Sequence, residues 1–114
     1  MDSQLLERVR RLLEDAEAPS RNRYFEEFAG EEGQRVFRLY RIYLSLWEEL
    51  GRAADRPEVR VAAAAEPGGL LLTVEDPKVA YRRQCLVPRE LAPAFDQRLA
   101  SLGLGPAPAR KMEA

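Results

Sequence analysis

The chain has 114 residues, 46% apolar and 32% charged, which suits one soluble globular domain with a single core. Its 18 basic and 19 acidic residues leave a net charge of −1, which disfavours a generally basic nucleic-acid binder and leaves only a local patch open. With no histidine and one cysteine, Cys85, the sequence excludes a disulfide scaffold, imidazole-based catalysis, and metal sites rich in imidazole or thiolate.

Residues 3–17 pattern as an amphipathic helix. Leu5, Val9, Leu12 and Ala16 share a face that Leu6 and Leu13 widen. Asp2 or Ser3 is placed to cap its start, and Pro19 stops it. The same stretch lacks an apolar signal core, and no run approaches the ~20 apolar residues of a membrane span, so a reducing cytoplasm is the expected location. A second helical stretch follows Ser20 and brings Tyr24, Phe25 and Phe28 close together. Gly30 and Gly33 each cost about 1 kcal/mol relative to Ala inside a helix, which predicts a kink or break there. One continuous helix over 22–54 is the alternative.

The main helix extends to about Ala54, where Asp55-Arg56-Pro57 ends it. Gln34, Arg38, Arg41, Ser45, Glu48, Glu49 and Arg52 make one narrow polar stripe. The large apolar residues sweep about 220°, twice the arc of an ordinary surface helix, so this helix needs cover from two sides. Leu39, Ile42, Leu46 and Leu50 form an aliphatic half. Phe37, Tyr40, Leu44 and Trp47 form a mostly aromatic half.

The pattern changes to period two after residue 58. Val59, Val61, Ala63 and Ala65 predict a strand with one buried face. Glu66-Pro67-Gly68-Gly69 is a tight-turn signal, because glycine accepts positive φ. A second strand covers 70–74, Glu75-Asp76-Pro77 makes the next turn, and a third strand covers 78–87 with Val79, Tyr81, Arg83, Cys85 and Val87 on one face. A last helix over 89–102 repeats Leu91, Phe95, Leu99 and Leu102. It requires Pro93 in its first turn and uses Gly103 as its stop. The expected fold is a two-layer α+β domain over 1–104. In it a three-stranded antiparallel meander packs against a long central helix, with flanking N- and C-terminal helices. The Gly/Pro/Ala-rich residues 105–114 are expected to be a disordered tail.

The chemistry-bearing residues are few. Glu26-Glu27 and Glu31-Glu32 read as solvated helical faces. Gly68-Gly69 lies between two strands, where no helix N-terminus can receive a phosphate. Cys85 reads as a small buried hydrophobe with no base to activate it, although Arg83 on its face would favour the thiolate. Arg82 and Arg83 must point to opposite faces of the third strand. If one meets Glu48 or Glu49, it is structural; if it joins Arg38 and Arg41, the set makes an anion site. The aromatic half of the main helix, Phe37, Tyr40, Leu44 and Trp47, is either core or a partner interface.

These features predict a non-enzymatic protein-interaction module, an adaptor or small chaperone-like subunit. It is expected to form a homodimer, with a protein partner and with no cofactor, metal, membrane span or catalytic residue. The alternative is an anion or nucleic-acid binding domain built on Arg38, Arg41, Arg82 and Arg83 with Tyr81.

Overall fold

The computed structural model describes residues 3–14 and 28–104. Its elements are α1 (Ser3–Glu14), α2 (Gly30–Ala53), β1 (Arg60–Glu66), β2 (Gly69–Asp76), β3 (Tyr81–Pro88) and α3 (Ala92–Leu102). The fold is α+β, with three antiparallel strands in the order β1-β2-β3. The chain divides into two compact units, Met1–Leu46 and Trp47–Ala114, with the boundary inside α2. The helical stretch expected between Ser20 and Ala29 lies outside the described residues, apart from Phe28 and Ala29. So do Glu26-Glu27, the last turn of the helix expected over 3–17, and the tail from 105.

In the first unit α1 buries Leu5, Leu6, Val9, Leu12 and Leu13, the i, i+3, i+4 set that the pattern marks. Arg10 lies outside this set between Glu7 (2.8 Å) and Glu14 (2.7 Å), one turn to either side. The chain turns into α2 at Gly30, whose φ of +75° is open to glycine at no steric cost. Gln34 Nε2 donates to the Phe28 carbonyl at 2.9 Å and fixes that approach. The helix then passes through Gly33 without interruption, so the break predicted at the two glycines falls at Gly30 alone. Glu31 and Glu32 in the first turn and Arg52 in the last have the signs that the helix dipole favours. Val36 and Tyr40 are buried; Ile42, expected in the aliphatic half, is 50% exposed.

In the second unit the last turns of α2 lie over the sheet, with Leu50 and Ala53 buried. β1 and β2 pair from Arg60↔Glu75 to Glu66↔Gly69, leaving Pro67-Gly68 as a two-residue turn. The positive φ falls on Gly69 (+147°), after the turn. A Cβ there would stand 1.9 Å from the Val87 carbonyl oxygen. Gly69 is therefore required as much by β3, paired to it through Pro88, as by the hairpin. Along β2, Leu70, Leu72 and Val74 are buried and alternate with half-buried Leu71, Thr73 and Glu75, the period of two that the sequence carries.

The third strand begins three residues later than its pattern predicts. Asp76 Oδ1 accepts the Lys78 N–H at 3.1 Å, Pro77 opens a single 3-10 turn over Pro77–Val79, and Ala80 is left-handed at φ 55°. Local side-chain capping thus takes Lys78, Val79 and Ala80 out of the strand. Val79 is 68% exposed instead of sharing the inner face. The last helix is also shorter than expected. Leu91 N–H bonds the Pro88 carbonyl and Ala92 N–H the Arg89 carbonyl, so residues 89–91 are a turn. Pro93 sits in the first turn of α3 and Gly103 ends it at φ +71°, both as the sequence requires. Leu91, Phe95 and Leu99 are fully buried.

Gly69→Ala should lower the unfolding free energy by about 2 kcal/mol or more in urea titration, because strain and a backbone clash coincide. Gly68→Ala, whose new Cβ meets only a Leu86 methyl at 3.3 Å, should cost far less.

Candidate functional site

Phe37, Tyr40, Leu44 and Trp47 recur along α2 at steps of three and four, so they share one side of the helix. Phe28 packs edge-on against Phe37 (4.9 Å, 66°) and tilted against Tyr40 (5.7 Å), and Tyr40 is only 7% exposed. Arg41 stacks over the Phe37 ring at 5.7 Å. Leu44 is half-buried. Trp47, in the second unit, meets Phe95 of α3 edge-on at 5.2 Å and 82°. The Arg98 guanidinium lies 4.9 Å from the Trp47 ring and donates through Nε (3.3 Å) and Nη2 (2.9 Å) to the Trp47 carbonyl.

The sequence pattern of α3 alone does not mark Arg98. Its signal is joint: an arginine three residues after Phe95 on α3, and a glycine four residues after Trp47 on α2. A Cβ at Gly51 would stand 2.7 Å from Arg98 Nη2, so Gly51 leaves the space through which the guanidinium reaches the helix backbone.

Of the four arginines proposed for anion binding, Arg83 meets Glu49. Its Nη1 lies 2.7 Å from Glu49 Oε1, and the Tyr81 hydroxyl donates to Glu49 Oε2 at 2.7 Å. Each carboxylate oxygen thus holds one donor from β3, and the Glu49 side chain is 14% exposed. The hydrogen bond to Glu49 raises the Tyr81 phenol above its ordinary range; burial adds to this and Arg83 opposes it. Arg82 points to the opposite face, exposed, and stands across from Glu75 in the register. Arg38 and Arg41 are exposed on α2 beside Ile42, lining a shallow depression.

The remaining charged clusters are also built into the fold. Asp76 is 4% exposed and caps Lys78; its Oδ2 also accepts from Arg56 Nη2 at 3.1 Å. Arg56 in turn holds Glu58 at 3.0 Å, and the backbone N–H of Glu58 with Arg56 lowers that carboxyl below its ordinary range. Glu32 pairs with Arg8 at 3.0 Å. Among the described residues no three His, Cys, Asp or Glu side chains converge on a possible metal position. Cys85 is half-buried on the inner face of β3. Burial pushes its thiol up, and Arg83 opposes this in part.

Comparison of the chain with protein-family models, curated proteins and solved structures gives no significant match.

Two outcomes test this geometry. Cys85 should react slowly with iodoacetamide in the folded protein and faster at the same pH once unfolded. Because its folded pKa is raised, its stabilising contribution is complete below the ordinary thiol range and is lost as pH rises through the folded value, an alkaline loss that Cys85→Ala removes. Glu49→Ala should return the Tyr81 phenol toward the ordinary tyrosine range, read from its ring carbon chemical shift during alkaline titration.

Proposed function

We propose that the chain is a non-enzymatic protein-interaction module, an adaptor or small chaperone-like subunit that also self-associates. The observation that supports this reading is the outward face of the sheet. On that face the register aligns Ala64, Leu71 and Leu86 in one row, with Leu86 47% exposed and Ala64 exposed. The next row is Ala62, Thr73 and Gln84, with Gln84 donating to Thr73 at 3.3 Å. The row beyond it is charged: Arg60, Glu75 and Arg82. An apolar centre with a polar and charged border is the layout of a protein-binding patch.

This reading puts the partner on the sheet rather than on the aromatic side of α2, where Tyr40 and Trp47 already pack against Phe28, Phe95 and Arg98. The anion-binding alternative has less behind it, because Arg83 is neutralised by Glu49. Among the described residues no helix is long and apolar enough to cross a membrane.

Leu86→Glu tests the reading. The side chain stands half in solvent, so the thermal midpoint should hold while the patch centre gains a charge. Tagged wild-type chain, incubated with lysate of its native cell, should retain a discrete protein set that the variant retains at least about tenfold less. Equal retention by the two chains would remove the sheet face from the reading.

A further inference from the structure

The sheet has two outer edges, and they differ. The β3 edge carries Arg82 and Arg83, starts from left-handed Ala80 and ends at Pro88, features that discourage further pairing. The β1 edge carries no charge, proline or bulge between Arg60 and Glu66, and its register with β2 is unbroken from end to end. Among the described residues no strand pairs with its outer side. Taking the pair that flanks the two-residue turn, Glu66↔Gly69, as hydrogen-bonded, the antiparallel alternation directs the backbone groups of Arg60, Ala62, Ala64 and Glu66 to β2. Those of Val61, Ala63 and Ala65 then face outward.

Resting on the interaction-module reading, we propose that β1 pairs antiparallel with β1 of a second copy about a two-fold axis through Ala63, joining two sheets into one of six strands. The strand's charges select this occupant and this register. With Ala63 opposite itself, Arg60 stands opposite Glu66 of the second copy, and Glu66 opposite its Arg60. All four lie on the outward face, and neither Arg60 nor Glu66 has an ion pair among the described residues. A shift of one residue turns the two outward faces away from each other, and a shift of two leaves a charge at each end unmatched. The central pair is one whose backbone groups point outward, so the two Ala63 residues can exchange both hydrogen bonds. A self-complementary edge closes as a dimer instead of propagating. The join would place two outward faces, each with its Leu71 and Leu86, on one continuous surface.

Charge reversal with mixing tests the register on the full chain. Wild type should sediment as a dimer at micromolar concentration. Arg60→Glu alone sets Glu against Glu at both ends, and Glu66→Arg alone sets Arg against Arg, so each should weaken dimerisation about tenfold. Mixed in equal amounts, the two variants regain opposite charges at both ends and should form a heterodimer of wild-type affinity. Any weakening of β1 within its own chain would not be rescued by mixing. Independently, Ala63→Cys in a Cys85→Ser background should form a disulfide-linked dimer on mild oxidation, because a hydrogen-bonded antiparallel pair sets the Cα atoms about 5.5 Å apart. A monomeric wild type, a dimer indifferent to both reversals, a mixture without recovery, or open-ended assembly would each overturn the proposal. Leu86→Glu lies on β3, two strands from this edge, so loss of partner capture with the dimer intact counts against neither the edge nor its register. Loss of the dimer with capture intact overturns the edge alone.

Discussion

Within the second unit, the two oxygens of one carboxylate fix which face of the sheet turns toward the end of α2. Glu49, on the next-to-last turn of α2, accepts from Tyr81 with one oxygen and from Arg83 with the other, both at 2.7 Å. An arginine on the inner face of a sheet would carry a desolvated charge without such a partner. With it, β3 has a fixed inner face, and strict alternation passes that choice across the ladder to Leu70, Leu72 and Val74. Leu86 and Arg82 are turned outward by the same step. The outward surface is thus a consequence of where one helix glutamate finds its donors.

Features that depend on near neighbours in sequence were legible without the structure. The period-two run of β2, the prolines that bound elements, and the glycine that ends α3 all act over a few residues, and the structure has them. β1 is a strand as expected, but its predicted inner face is only half-buried at Val61 and Ala63 and exposed at Ala65. The start of β3 was not legible, because it turns on whether Asp76 bonds the backbone two residues ahead. Period two continues through Lys78 and Val79 whether or not that bond forms. Gly68 and Gly69 are equivalent as turn signals. They are distinguished by the carbonyl of Val87, eighteen residues on, which leaves room for no side chain at Gly69.

The candidate site divides in the same way. The sequence establishes that Arg82 and Arg83 face opposite ways and that Arg83 is structural if it reaches Glu48 or Glu49. Only the crossing of α2 over β3 selects Glu49. The neighbours of Trp47 are likewise set at long range, since Phe95 and Arg98 both come from a helix about fifty residues away. Residues paired across long stretches of chain therefore carry most of what the sequence left open, and they are mainly arginines, whose length lets one side chain serve distant partners.

Gly69 also acts on the sheet as a whole. Its missing side chain leaves a notch the width of one residue beneath the Val87 carbonyl. If β2 slid one residue along β3 in one direction, Leu70 would have to occupy that notch. In the other direction Gly68 would fit, but Leu71 and Thr73 would turn inward and Leu72 would face water. The notch works as a mechanical stop: it admits one alignment of the two strands, and through it the rows on both faces of the sheet are kept in step.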